Sequence, residues 1–480
     1  MGKLAAGRGV EGSIFAQKTV MQSSPLEIAL SAWQSTAPFR ANRQRYKRYT
    51  YGRQWDDIIT SPDGVALTEG AYAEKCGHRP LTNNLIRQMV KTVIGLWRRD
   101  MAPSHGGTDT AIARRNHLDE LDARTLEEFL ISGCAVQRVV TERRVGGTGV
   151  WVDPVSPSRF FFSPATDPRG CDMEVVGMAH DMSMREAMVR FGGEDGSRRK
   201  RVERIYSGVD PRLFASVDMQ SVAASLLSAP AGRCRAIELW TLESRLMIRC
   251  YDPVEWGGFL LPASAAPRIE KENRGRAEEA RIAFREFDTV RWHCRWLAPT
   301  GELLDSYDSP WPHGGHPFAV KLYPMTDGEI HPFVEDVIDQ QRTINRLITM
   351  LDTMLGVSAK GALLFPLRAL PPGYRLPDIA AAWSIPGAVI PFDTADTNLR
   401  PMQVSGSSGD CGAASLLSME MKLFEQISGV NGAIQGREVT ANTSAALFDA
   451  RTRNATTALI DLLESFDSFV EERNRLIKES

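Results

Sequence analysis

One stretch constrains this chain more than any other. From Pro332 to Ser480 it reads as helix, insert, helix, loop, helix. In PFVEDVIDQQRTINRLITMLDTML, Val334, Val337, Ile338, Gln341, Ile344, Leu347, Ile348, Leu351, Met354 and Leu355 hold one seam. That spacing predicts an amphipathic helix of about six turns, ~35 Å long at the α-helical rise. Pro332 suits a first helical turn, where its missing N–H costs nothing. Glu335, Asp336 and Asp339 suit the positive N-terminal end. Leu416, Leu417, Met419, Leu423, Phe424 and Ile427 mark a second helix that ends near Gly429. The glycines and asparagines of GVNGAIQGREVTANT predict a mobile loop. From Thr443 or Ser444 a last helix keeps phase through Leu447, Phe448, Leu459, Leu462, Phe466, Phe469 and Ile477. It would be ~50 Å long, more than an ordinary globular helix. Between the first two helices, Gly356–Cys411 is rich in Pro and Gly, with LLFPLRAL, GAVIPF and NLRPMQV as short strands. One apolar seam with a polar opposite face fits the wall of a bundle or ring. A core helix of an enzyme would show the same seam.

At 480 residues the chain exceeds one ordinary core, so further substructures precede this stretch. Residues 1–25 read as a flexible arm. In RANRQRYKRYTYGRQWDD, basic residues from Arg40 to Arg53 alternate with Tyr46, Tyr49, Tyr51 and Trp55. Such a mixture can bind nucleic acid by phosphate contact and stacking; it is also what a solvated helix face with anchoring rings looks like. Helical periodicity returns in RPLTNNLIRQMVKTVIGLWRRD, with Asn83 or Asn84 as cap, and over Asp109–Ser132, with Gly133 as the stop. After Gly133 the period becomes that of strands. CAVQRVVTERRV and GVWVDPV flank a Gly-rich turn, and RFFF, MEVVGMAHDM, CRAIELWTL, RLMIRCYDP, TVRWHCRWLAP and ELLDSYDSPW add more. Ser183 and Glu186 form a capping box. The run Arg198–Arg204 reads as a solvated loop, and RIEKENRGRAEEARIAFREF as a charged helical insertion. Residues 1–331 are therefore an α+β body, helices first and antiparallel meanders after.

Several function classes drop out. No run of about 18 apolar residues spans a membrane. The seven cysteines include no CxxC pair and read as free thiols. His313, His316 and His331 lie in a Pro- and Gly-rich loop with no helix to fix ligand spacing, so no metal is expected. No GxxxxGK[ST] occurs, so the chain carries no P-loop and is not a motor. No nucleophile, base and carboxylate converge in the pattern, so neither catalysis nor a cofactor is expected. A net charge of -2 argues against tight nucleic-acid binding over the whole surface.

Several segments, in this order, resemble the P22-like portal proteins of tailed bacteriophages. They are YTYGRQWDD, RPLTNNLIRQMVKTVIGLWR, FLISGCAVQRVV with DPVSPSRFFFSPATDP, YPMTDGEIHPFVEDVIDQQRTINRLITM, and EQISGVNGAIQG before the last helix. The resemblance implies a dodecameric ring at one capsid vertex of the virion, assembled in the host cytoplasm. Double-stranded DNA would pass through it in packaging and ejection. Its partners would be the terminase large subunit, the head-tail adaptor, the major capsid protein and the scaffold. The portal fold then maps as wing (26–331), first stem helix (332–355), clip (356–411), second stem helix (412–428), tunnel loop (429–443) and spine helix (444–480), with a crown absent or minimal. By the same resemblance, Asn431, Gln435, Arg437, Glu438, Thr440 and Asn442 face DNA. Asp339, Arg342, Asn345 and Arg346 are the polar residues of the stem, and Arg368, Tyr374, Arg375 and Trp383 serve docking at the clip. The alternative is a DNA-binding structural protein, not a ring, that uses the basic-aromatic stretch 40–55.

Overall fold

A computed structural model describes residues 24–101, 109–144, 147–207, 222–255, 257–311, 314–360, 362–384, 390, 401–404, 412–430 and 457–480. Ser24 opens α1 (Pro25–Ser35) through a capping box with Glu27, and α2 (Ala37–Thr50) follows. A small hairpin of β1 (Ile58–Thr60) and β2 (Ala66–Thr68) leads into α3 (Glu69–Lys75). α4 (Leu85–Met101) starts where Asn84 Oδ1 accepts the Arg87 N–H at 3.0 Å, as the sequence suggested.

The helix expected over Asp109–Ser132 is two helices, α5 (Thr110–Asn116) and α6 (Leu118–Ser132). His117 breaks it in the left-handed region at φ 48°. The Asn116 amide explains the break: it donates to Val150 O at 3.1 Å and accepts from Val152 N at 2.9 Å, tying this helix end to a strand. Gly133, at φ 68°, stops α6 as expected.

From there the chain is antiparallel sheet. β3 (Cys134–Arg144) pairs with β4 (Gly147–Pro154) as the hairpin foreseen around the glycine turn. β5 (Phe160–Phe162) and β6 (Val175–Met182) follow, then the capping box of Ser183 and Glu186. That box opens α7 (Met184–Ala187), which continues as a π turn over Met188–Gly192. The basic run is not a loop but α8 (Gly196–Ser207), held by burial of Val202 and Ile205. After α9 (Val222–Leu227), the two strands foreseen at CRAIELWTL and RLMIRCYDP are one 19-residue strand, β7 (Cys234–Asp252). β8 (Gly257–Pro262) pairs with its far half.

Only α10 (Ala266–Asn273) of the charged insertion is an α-helix. Its end, AFREF, belongs to β9 (Ala283–Leu297), because pairing with β7 from Tyr251↔Ala283 to Ile237↔Leu297 outweighs local helix preference. β10 (Leu303–Asp308) completes a sheet ordered β10-β9-β7-β6-β5 with β8 alongside β7. β11 (Phe318–Leu322) returns to flank β3, and β12 (Met325–Thr326) and β13 (Glu329–Ile330) form a tight hairpin.

The long helix, α11 (Ile338–Lys360), begins later and ends later than the seam suggested. Val334 N–H is taken by Leu130 O of α6 at 3.2 Å, so residues 335–337 form a 3-10 turn before the α-helix. In the insert, β14 (Ala362–Leu364) pairs with β15 (Met402–Val404), within two of the three strands foreseen. Residues 387–389, 391 and 392 of GAVIPF lie outside the described residues. Unforeseen is α12 (Leu376–Ser384), opened by an Asp378 carboxylate that accepts the Arg375 N–H at 2.9 Å. α13 (Ala413–Ser428) ends at left-handed Gly429. The C-terminal helix is described over Ile460–Glu479, after a 3-10 turn at Thr457–Leu459; residues 444–456 lie outside the described set.

Two large cores result. One gathers α2, α4, α6, the start of α11 and the C-terminal helix around Tyr49, Met89, Phe129, Phe466 and Phe469. The other lies on the sheets around Phe160, Phe318, Trp240 and Trp296. A buried polar cluster joins the C-terminal helix to α6 and β3. Arg473 grips both oxygens of Asp122 at 2.9 and 3.0 Å and reaches Gln137 Oε1 at 3.1 Å.

Candidate channel and assembly surfaces

The six loop residues expected to face DNA, Asn431, Gln435, Arg437, Glu438, Thr440 and Asn442, lie outside the described residues. The structure does describe where their segment leaves and returns. Val430 is buried in the helical core, and a Cβ built on Gly429 would stand 2.9 Å from Ala458 Cβ. The described residues that flank 431–456 therefore lie against each other at the end of α13.

The polar residues of α11 fall into two roles. Asn345 is 2 % exposed and donates to Gln54 Oε1 at 2.6 Å, while its Oδ1 accepts the Asn83 N–H at 3.0 Å. Gln341, one turn earlier, accepts from Leu85 N at 2.9 Å and donates to Asn83 O at 2.7 Å. Arg342 and Arg346 both grip Glu69 of α3, at 3.0 and 2.5 Å. Burial pushes the Glu69 carboxyl up, but the two guanidinium groups outweigh it and hold it below its ordinary value. Three of the four expected stem residues therefore lock α11 to the rest of its own chain. Asp339 is exposed, 3.9 Å from Arg342, and Arg346 is exposed too although it holds Glu69. At the insert, Arg368, Tyr374 and Arg375 are exposed and Trp383 is half-buried, so three of the four present themselves to solvent.

The helix pair carries a feature that the sequence did not separate. Its second-helix seam is two stripes. Ala413, Leu417, Phe424 and Ser428 turn inward, and Leu417 and Phe424 join the core. Leu416, Met419, Leu423 and Ile427 follow each other at three- and four-residue steps on another face. Leu416, Met419 and Ile427 are 41, 53 and 44 % exposed. An apolar arc too wide for one seam was the available signal. On α11, Met350, Met354 and Leu355 are likewise exposed. Met350 borders an apolar cavity of about 370 Å³ lined by Trp55, Ile59, Tyr72 and Ala73 and by no residue of α13.

The basic-aromatic stretch is consumed internally. Arg43 forms a two-pronged pair with Glu128 at 2.6 and 2.8 Å. Arg45 and Arg48 both meet Asp57 at 2.9 Å, and Arg53 meets Asp56 at 2.7 Å. Arg40 stacks on the Trp33 ring at 3.5 Å. Tyr46 donates to Glu335 at 2.6 Å and Tyr49 to Asp57 at 3.0 Å. These rings are spent on packing, Arg43, Arg45, Arg48 and Arg53 on carboxylates, and Arg40 on the Trp33 ring and carbonyl. The stretch offers little to a phosphate backbone.

Among the described residues no helix is long and apolar enough to cross a membrane, and no cluster of three His, Cys, Asp or Glu residues has metal-binding geometry. No curated protein matches the chain. The sequence model of the phage P22-like portal protein family matches residues 110–477, from α5 to the C-terminal helix. That match covers the sheet core, α6, the long helix, the insert and α13, so the chain belongs to the P22-like family of phage portal proteins.

Proposed function

We propose that the chain is the subunit of a closed ring, a dodecamer, through which double-stranded DNA enters and leaves a phage capsid. Portal proteins are structural components of the virion, not enzymes. The observation that carries the ring is the second apolar stripe of α13, left uncovered, with a separate exposed apolar patch at Met350 and Met354 of α11. Each large apolar side chain fully withdrawn from water contributes about 1.5–3 kcal/mol. A contact between two different patches of the same chain generates a ring when its rotation closes.

In this reading residues 26–331 are the wing, 332–355 and 412–428 the stem, 356–411 the clip, and 429–443 the tunnel loop. Residues 444–480 are the spine. Asn431, Gln435, Arg437, Glu438, Thr440 and Asn442 contact moving DNA loosely, because a tight grip on phosphates would have to be broken at every step. Arg368, Tyr374, Arg375 and Trp383 meet the terminase large subunit and later the head-tail adaptor. The rim of the ring meets the major capsid protein and the scaffold.

The test is the mass in solution. Light scattering of the wild-type chain under assembly conditions is expected to give a large ring, and Met419→Asp a monomer with unchanged circular dichroism. A wild-type chain that stays monomeric at every concentration would overturn the ring. A second test removes residues 431–441, sparing Val430 because it belongs to the core. Ring mass is expected to persist while DNA packaging or retention fails; loss of the ring would show that the loop is an assembly element.

A further inference from the structure

The helix α8 stands apart from every other basic segment of the described chain. Its twelve residues, GSRRKRVERIYS, hold five basic side chains and one acid, in a protein whose net charge is -2. The contrast with α2 is chemical. There Arg43, Arg45 and Arg48 end on carboxylates. On α8 the anchored cations end on neutral carbonyls instead. Arg199 Nε donates to Gly193 O at 2.8 Å, and Arg201 Nη2 to Leu303 O at 2.9 Å. A guanidinium fixed on a carbonyl keeps its full charge. Lys200 and Arg204, one turn apart, are exposed on the face opposite Val202 and Ile205. Among the described residues no carboxylate stands within ion-pairing distance of either. Gly192 makes the arrangement possible: a Cβ there would fall 2.6 Å from Arg199 Cγ, so a side chain at 192 would lift α8 from the π turn beneath it.

We propose that this face is a second, sequence-independent contact for double-stranded DNA, carried by the sheet body and separate from the helix pair and its loop. Duplex DNA offers one negative charge per ≈ 1.7 Å of axis, and fixed cations gain by releasing its counterions. The exposed face has no Asn or Gln to pair with adenine in a groove. It has no ring to stack on unpaired bases either, since Tyr206 is turned inward and donates to Arg235 O at 2.9 Å. The partner that fits is therefore the phosphate backbone of a duplex and not a single strand. The inference does not rest on ring formation.

The experiment is fluorescence anisotropy of a short duplex with the full chain, between about 50 and 200 mM salt. The wild type is compared with the double variant Lys200→Gln/Arg204→Gln, and with Lys47→Gln as an exposed basic control on α2. With two phosphate contacts removed, the slope of log K against log salt is expected to fall by about 1.8. The wild type then loses about tenfold more affinity over that range than the double variant. The control is expected to keep the wild-type slope. Equal slopes for wild type and double variant would overturn the proposal, as would an equal drop in the control. So would displacement of the duplex by a poly-glutamate peptide at matched charge, which would identify an acidic protein as the partner.

Discussion

At the scale of single residues, the buried Arg473–Asp122 pair carries the largest single liability. Both side chains are almost fully enclosed. Removing one partner of such a pair leaves an uncompensated charge and costs about 3–5 kcal/mol, whereas replacing both by apolar groups is often neutral. Arg473→Met is therefore expected to lower the urea midpoint sharply, and the further change Asp122→Leu to restore much of it. Glu69 behaves differently, because its pair is only partly enclosed. Its carboxyl is held below the ordinary value of 4.5. A depressed acid stabilises the fold above its unfolded pKa, and that stability is lost as pH falls through the folded pKa. Glu69→Gln is expected to destabilise the chain at neutral pH by about 1–3 kcal/mol, since Arg342 loses its acceptor. It is also expected to flatten acid unfolding below about pH 4.5, as read by fluorescence across a pH series. Neither contact was legible in the sequence: Arg473 and Asp122 lie on separate helical patterns, and Glu69 follows a turn-rich segment.

At the scale of elements, Gly133 is the junction on which helix and sheet turn. It sits at φ 68°, and a Cβ there would approach Tyr323 O to 2.9 Å. Gly133→Ala combines left-handed strain with that collision. It is expected to cost at least about 1–3 kcal/mol in thermal or chemical melts. This stop was readable, because one glycine closes a long periodic pattern and a strand pattern opens behind it. Helices with a single strong seam, α4 and α11, were readable for the same reason. What escaped were segments whose local character loses to a distant partner. Asn116 breaks its helix by bonding residues 150 and 152. AFREF is charged enough for a helix, yet lies in register against β7. The start of α11 shifts because Leu130 takes the Val334 N–H. α12 hid among prolines that a composition reading assigns to turns.

At the scale of the molecule, the chain is a sheet body and a helical body that meet where the C-terminal helix packs on β3 and β11, with one apolar stripe of α13 uncovered. If that stripe is where copies meet, stability and assembly are linked by mass action. The melting temperature of the wild type is then expected to rise with protein concentration, and that of Met419→Asp to stay flat, in a calorimetric dilution series. The Arg473 clasp adds a constraint in time. Its partner Asp122 is synthesised 351 residues earlier. Throughout the translation of everything between, the groove of α6 and β3 holds a carboxylate with no counter-charge, and the helical core cannot close around it. A nascent chain is thus kept from maturing its helical body until the helix that carries Arg473 has left the ribosome.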